Sequence, residues 1–456
     1  MSTSEKFTVA IVGGGLAGLA VAVHLETLGI EWFMLESYEE MAPELGASIG
    51  LAPNGMQVLD QLGVYDEVAA AAGTASSVAA RDGDGRLMYE FELLPRMRAN
   101  HGFDMRFTER RTVLKILYEK IKAKEKVHTG QRVSKIEHID DGAKVRLTTR
   151  EGATYTADIV IGADGIHSPV RAEMWRIAAE DGSKVFGENP GADVATEYGC
   201  TFGISEPLEG LKEGMIRHIH LRDSAAGFIT GRDDVIYWFH FFKLPEKHMG
   251  IDFPRLTKAQ EEELNARDAH REINPGTTWG DIYAAKRISI ITPLPNHRFT
   301  RWHHRRIICV GDAVCKSQPI AGQGGCSALE SSVALVDCIH AALQANGGLD
   351  KPLSDAQVDE AFTKTTAVRA KRSAAVVDEG LLYMRLAAWS NMLLRFVDTW
   401  IVPLVPKTTL VDLMFAGAAG GYHSNTLPAP VAKYDSAGEL ITAAPKKAVS
   451  VGDASE

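Results

Sequence analysis

Cysteine is scarce in this chain. Five residues, Cys200, Cys309, Cys315, Cys326 and Cys338, are scattered through 456 positions. None makes a C-x-x-C pair, so the spacing predicts neither a zinc site nor a disulfide framework, and no metal is expected. Such sparse thiol use suits a reducing compartment. Positive charge is not in excess: the formal net charge is −10. A nucleic-acid partner needs a basic surface and is not expected. Residues Met1 to Lys6 are polar and lack the apolar core of a secretory leader, so a cytoplasmic protein is predicted. No internal repeat is visible. What remains is the composition of a globular enzyme, 45% hydrophobic and 24% charged, long enough for one or two domains.

Glycine carries the information. The run Gly13-Gly14-Gly15-Leu16-Ala17-Gly18 follows the apolar stretch Val9-Ala10-Ile11-Val12. Residues Thr8 to Val12 read as a buried strand, Leu16 to Leu28 as a helix, and Glu31 to Leu35 as a second strand, which makes one βαβ unit. In that context Gly13 permits the tight turn, Gly15 lets the backbone approach a pyrophosphate, and Gly18 allows close helix–strand packing. Glu36 ends the second strand. Its carboxylate accepts from ribose hydroxyls and repels a 2′-phosphate, which favours FAD or NAD over NADP at this turn.

Two later stretches extend the pattern. Gly162-Ala163-Asp164-Gly165 follows a strand at 158–161, with Ser168 and Arg171 shaping the turn. Val310-Gly311-Asp312-Ala313 follows a strand at 306–310 and leads through Pro319 to Gly322-Gln323-Gly324-Gly325 and a helix over 324–345. Asp312 is placed to accept from ribityl hydroxyls, and the helix N-terminus to favour anionic reduced flavin. Arg110 or Arg111 is placed to contact phosphates. The three stretches in this order imply FAD gripped along its length by one domain built from separated segments.

Other segments read as follows. A helix is predicted near 54–62, another over 112–124, and a hairpin of 133–139 with 143–149 turning at Asp140-Asp141-Gly142. Strands at 197–204, 216–221, 226–230 and 235–242 predict an antiparallel sheet, with a polar helical flank at 255–285. Residues 355–400 read as helical. The piece 383–404 is too charged to span a membrane; it predicts an amphipathic helix that docks on the protein or lies on a membrane surface. The tail from 428 predicts disorder. The fold class is therefore α/β. A Rossmann-type FAD-binding domain with a parallel sheet, discontinuous in sequence, spans 1–175 and 296–350. An antiparallel-sheet substrate domain is inserted at 176–295, a helical region follows at 351–427, and the tail occupies 428–456.

Together these residues resemble the FAD-dependent aromatic-hydroxylase superfamily, the group A flavin monooxygenases, over about residues 7–345. Within it the chain is most similar to fungal monooxygenases of indole-diterpene and meroterpenoid pathways, through the stretches from Gly46 to Gly55, Val58 to Gly63, Arg111 to Tyr118, and Tyr237-Trp238-Phe239. The resemblance implies FAD contacts at Glu36, Gly50, Arg110, Asp312 and Gly325. It implies NADPH or NADH binding transiently, and oxygen transfer through a C4a-hydroperoxyflavin. Two departures stand out. Cys315 occupies a position where many relatives have His, and Gly199 one where salicylate-hydroxylase-like relatives carry an arginine.

The expected activity is epoxidation or hydroxylation of a lipophilic prenylated or polycyclic precursor. A phenolic hydroxylase is the alternative, and a non-catalytic prenyl-binding module of the GDP-dissociation-inhibitor type is the alternative of another class. A flavin halogenase is disfavoured, because no Trp-x-Trp-x-Ile signature is present. Tyr198 and Tyr237 are the candidate catalytic residues, to orient substrate or lend a proton; plain packing is the competing reading. His218 and His220 alternate on one strand, which reads as a half-exposed face rather than a metal pair.

Overall fold

The computed structural model describes residues 6–44, 48–253, 255–349 and 351–441. Its first layer is a six-stranded sheet in the order His303–His304, Ile307–Cys309, Ile159–Gly162, Thr8–Val12, Glu31–Leu35, Val127–His128. All pairings are parallel except the edge strand His303–His304. Val9, Ala10, Ile11 and Val160 are fully buried, as strands covered on both faces must be. Helix Leu16–Leu28 packs on this sheet and against helix Gly324–Ala345, with the Ser332 hydroxyl donating to the Ala17 carbonyl at 3.1 Å. The first strand, first helix, second strand and helix Gly324–Ala345 fall where the sequence places them.

The second layer is an eight-stranded sheet in the order Cys315–Lys316, Lys286–Arg298, Ala195–Ser205, Ile236–Met249, Ser224–Thr230, Met215–Leu221, Ser77–Asp82, Leu87–Glu92. The antiparallel sheet expected within 176–295 is thus wider. It recruits two strands from 77–92, and one pairing, Met215–Leu221 with Ser77–Asp82, is parallel. A separate three-stranded sheet runs in the order Ser48–Leu51, Arg106–Glu109, Gly73–Thr74, and its Phe107 packs on Tyr237 of the second layer.

Several expectations are corrected. The helix read over 112–124 runs Arg110–Lys120 and ends where Ile121 turns extended. The flank 255–285 is not one helical piece: helices Lys258–Asp268 and Trp279–Ala284 are separated by the short hairpin Glu272–Asn274 with Thr277–Thr278, which turns at Gly276 with φ +76°. The long helix Asp355–Ala387 stops at Trp389, whose φ is +40°, and a shorter helix Met392–Phe396 follows. Residues 428–441 of the expected disordered tail are tied to the body through Lys433 and Tyr434, although most of their side chains stay exposed. The Lys433 ammonium reaches Asp60 at 2.6 Å, and buried Tyr434 donates to Asp104 at 2.7 Å under the Arg98 guanidinium. One aromatic ring with two charged partners outweighs the polar composition around it. Residues 442–456, and Gly46 and Ala47 of the quoted stretch, lie outside the described residues.

Candidate active site

The three glycine turns meet. Gly13 adopts φ +104°, and a Cβ on it would lie 2.6 Å from the Ala163 carbonyl oxygen, so the first turn rests directly on the second. Gly18 passes the Gly13 carbonyl so closely that a Cβ would lie 1.9 Å from that oxygen. Gly311 approaches Ala17, and Gly325 approaches Leu16 and Ile49, which brings the third turn onto the first helix. Arg171 ties the second turn to the third. Its guanidinium donates to the Ala313 and Ile166 carbonyls at 2.7 Å each, and it lies over the Trp175 and Phe299 rings. Ser168 caps the following helix by accepting from the Arg171 N–H at 2.9 Å. The shaping role read for Ser168 and Arg171 has this geometry.

The first turn is built for an anion. Helix Leu16–Leu28 begins at Gly15 with no side-chain cap and no acidic residue in its first turn, so its leading N–H groups remain available. Gly15 is open on its side-chain face: a Cβ there would meet only an Arg110 Nη atom, at 3.3 Å. Arg110 opens helix Arg110–Lys120 and pairs with no carboxylate among the described residues, whereas Arg111 is engaged with Glu44 at 3.0 Å. Glu36 accepts from the Gly14 N–H with one oxygen and from the Tyr38 N–H at 2.8 Å with the other. It thus braces the first turn while standing at the end of its strand. Asp164 accepts from the Val170 N–H at 3.0 Å, and its other oxygen is buried with no partner. Burial pushes its carboxyl up to about 6. Asp312 follows strand Ile307–Cys309 in a tight turn, and the Lys316 ammonium donates to one of its oxygens at 2.8 Å.

Beside the third turn lies an apolar wall. Gly50 packs side-on to Met105 and Phe107. Phe107 meets the Tyr237 ring at 5.4 Å and the Phe239 ring at 6.3 Å between centroids, and Phe239 stacks on Phe241 at 6.0 Å. Ile320, two residues before Gly322, packs with Phe202 and Phe239 against the cluster that holds Phe241. The sheet register puts Phe202 opposite Phe239 and Ile204 opposite Tyr237, so these side chains share one face.

The two candidate tyrosines are not brought together. Tyr198 lies six residues along the strand from Ile204, the partner of Tyr237, a separation of about 20 Å at ~3.3 Å per residue. Tyr198 packs with Met384 and Ala387, and its hydroxyl faces Ser390. Tyr237 packs with Phe107, and its hydroxyl faces Thr108. Burial holds both phenols neutral, with Tyr237 pushed up to about 12. The strand Met215–Leu221 is largely buried rather than half-exposed, and His220 Nδ1 sits 2.7 Å from the buried Asp398 carboxylate. Cys315 is half-buried, with its thiol pushed up to about 12 by burial.

Sequence reasoning missed a buried polar cluster behind the third turn. Glu330 is engaged by Arg369 and by Arg372 at 2.8 Å, and its other oxygen accepts from Asn54 at 2.7 Å. Asn54 also donates to Gln323 at 3.1 Å, the residue that opens helix Gly324–Ala345. The available signal was a charge inside an apolar stripe: Glu330 beside Leu329 and Val333, and Arg369 in register with Phe362, Thr365 and Ser373.

A helix N-terminus without a cap, an open glycine, an unpaired arginine and an orphaned carboxylate oxygen fit a dinucleotide pyrophosphate with its sugars. The FAD binding domain family matches residues 6–197. The FAD-dependent monooxygenase terM of Tolypocladium album is 34% identical over 401 residues, spanning 88% of this chain and 82% of that protein. The FAD-dependent monooxygenase cle3 of Aspergillus versicolor is 32% identical over 418 residues, spanning 90% and 84%. Among solved structures, HpxO of Klebsiella pneumoniae, complexed with FAD and uric acid, matches with a TM-score of 0.74 at 20% identity over 92% of this chain and 99% of that one. At that identity the likeness speaks for the fold. With relatives of this closeness over most of its length and three glycine turns brought together, the chain belongs to the family of FAD-dependent monooxygenases that these fungal proteins represent and is an oxidoreductase that uses FAD.

Proposed function

We propose that the protein transfers one oxygen atom of O2 to a lipophilic prenylated or polycyclic secondary-metabolite precursor, epoxidising an alkene or hydroxylating an electron-rich ring. NADPH or NADH supplies two electrons in transient binding, and the second oxygen atom leaves as water. FAD, when bound, supplies the electron transfer and oxygen activation. The residues of the chain do the rest. Gly13, Gly15, the N–H groups of helix Leu16–Leu28 and Arg110 hold the pyrophosphate. Glu36 accepts from the adenosine ribose, and Asp312 from the ribityl chain. Asp164 supports the middle of the cofactor. Gly325 keeps the helix start close to the ring.

The observation that carries the substrate class is the wall itself. Phe107, Phe202, Phe239 and Phe241 form an apolar face next to Ile320 and the glycine run. Gly199, where a phenolate-binding arginine is absent, faces the other side of this sheet, under the Phe242 ring, and the wall itself is made of aromatic and aliphatic side chains. A face without a cation suits a neutral lipophilic substrate and keeps water from the reacting atoms.

The test is incubation of the purified protein with NADPH, isotopically labelled O2, and either prenylated polycyclic precursors or small phenols. The expected product carries one labelled oxygen and arises from the prenylated compounds. NADPH consumption stimulated only by phenols refutes the substrate class. A protein without flavin absorbance after reconstitution refutes the cofactor site.

A further inference from the structure

The surface formed by residues 391–413 is unlike the rest of the molecule. Met392 is 78% exposed, Leu393 69%, Trp400 57% and Leu404 80%, with Phe396, Ile401 and Leu413 exposed among them. Single apolar residues are ordinary on a surface, but a run of them on consecutive helical turns is not. The turns are those of helix Met392–Phe396, a π-turn over Val397–Ile401 and a 3₁₀ turn over Val402–Leu404.

This segment is held firmly with its apolar side outward. Asn391 caps its start by accepting from the Leu394 N–H at 2.9 Å. On the opposite side, fully buried Asp398 accepts from the Trp389 indole N–H at 2.7 Å and meets His220 of the large sheet. The Asp223 N–H donates to the Ala388 carbonyl at 2.7 Å just before it. The polar contacts lie inside and the greasy ones outside, the reverse of a helix docked on its own protein.

The exposed charges of this segment that have no ionic partner have one sign. Between Trp389 and Val411 the exposed ionic side chains are Arg395 and Lys407, and the single acid is the buried Asp398. Asp412, next along, is clamped by Arg96 at 2.7 and 2.8 Å. The Arg86 guanidinium lies over the Trp400 ring at 5.4 Å while also pairing with Asp82. A chain of net charge −10 therefore presents its most apolar face with a cationic rim. An interface-seeking tryptophan, large aliphatic residues and a basic rim are the composition of a helix lying in the headgroup region of an anionic bilayer. A second copy of the chain would set two basic rims against each other.

We infer that residues 391–413 dock the enzyme on an anionic phospholipid surface. Leu393, Phe396, Trp400 and Leu404 enter the interface, and Arg395 and Lys407 meet headgroup phosphates. Val411, on the inner side of the following helix Lys407–Met414, and Phe415 just after it belong to the same apolar cluster as Phe107 and Tyr237, so the docked face adjoins the wall of the proposed active site.

Vesicle flotation of the full chain tests this. The vesicles are phosphatidylcholine alone or with about 30% phosphatidylserine, an anionic surface of the kind that attracts basic segments. The expected result is flotation with the anionic vesicles, weakened by high salt, with Trp fluorescence quenched by lipids brominated in their acyl chains. Leu393→Glu/Leu404→Glu and Arg395→Glu/Lys407→Glu are expected to weaken vesicle binding at least about tenfold, with flavin content unchanged in both and the melting temperature unchanged in the first, whose side chains face solvent; the second loses the contact of Arg395 with the Trp389 ring at 5.1 Å and melts slightly earlier. No flotation of the wild type with either vesicle overturns the inference. Equal flotation of the variants overturns it as well. So does a concentration-dependent dimer that Leu393→Glu/Leu404→Glu converts to monomer in the absence of vesicle binding. None of these outcomes bears on the oxygen-transfer reading, which is assayed without vesicles.

Discussion

Two glycines three residues apart have opposite fates on adding one methyl group. Gly15 sits at φ −75° and ψ −173°, a conformation alanine adopts freely. Its Cβ would touch only the far end of the Arg110 side chain, at 3.3 Å. Gly15→Ala apoprotein therefore keeps its stability or gains about 0.4–1 kcal/mol through the unfolded chain. The same methyl stands on the face that a pyrophosphate must approach. If it displaces two charge-assisted hydrogen bonds of about 1.5–3 kcal/mol each, FAD affinity falls by about two to four orders of magnitude. Gly18→Ala instead drives a Cβ to 1.9 Å from the Gly13 carbonyl oxygen, against an ordinary carbon–oxygen contact of about 3.3 Å. Backbone cannot swing away as a side chain can, so strand and helix must part. The expected cost is about 1–3 kcal/mol or more, in apoprotein and holoprotein alike. The assay is thermal melting of both variants with and without FAD, beside fluorescence titration of apoprotein with FAD. Wild-type FAD affinity in Gly15→Ala, or an apoprotein melting loss in it as large as in Gly18→Ala, refutes the assignment of this turn to the pyrophosphate.

Other outcomes follow from the same geometry. Arg369→Met leaves Glu330 buried beside one remaining arginine, and urea unfolding is expected to show a loss of about 3–5 kcal/mol; Glu330→Leu added to it should recover part of that loss, and further loss would contradict a paired charge. Tyr237→Phe and Tyr198→Phe are expected to keep kcat within about threefold, because each hydroxyl faces a protein group rather than a shared reacting atom; a fall of about 100-fold or more in either would make that phenol an acid–base catalyst. Stability should decline as pH falls from about 6.5 toward 4. Burial lowers His297, His24 and His303 to about 4, so below 6.5 the unfolded chain binds protons that the folded chain refuses. For His297 alone the loss approaches about 3 kcal/mol by the lower limit. Asp164, raised to about 6 by burial, works the other way, stabilising the folded state at low pH and losing that contribution as pH rises from about 4 to 6. Chemical denaturation across this range in the apoprotein should still show falling stability with acid, and a flat profile would contradict neutral buried histidines.

The polypeptide order alone determined the first βαβ unit, the three glycine turns and the helix at 324–345, because each rests on local rules. A strand buried on both faces is a short apolar run, a helix start needs an open backbone, and a positive φ such as that of Gly13 is nearly glycine's own. Those rules are also the basis on which an FAD grip at Gly13, Gly15, Gly18, Glu36, Arg110 and Asp312 is proposed. What crossed long stretches of chain could not be read. Strands Ser77–Asp82 and Leu87–Glu92 join a sheet whose other members begin more than a hundred residues later, Arg369 finds Glu330 across 39 positions, and Tyr434 reaches back to Asp104. Pairings of that kind are decided by which surfaces remain uncovered once the layers have packed, a property of the assembled fold. The outward turn of Leu393, Trp400 and Leu404 belongs to the same class: the periodicity announced an amphipathic segment, but only the burial of Asp398 against His220 settled which side faces the solvent.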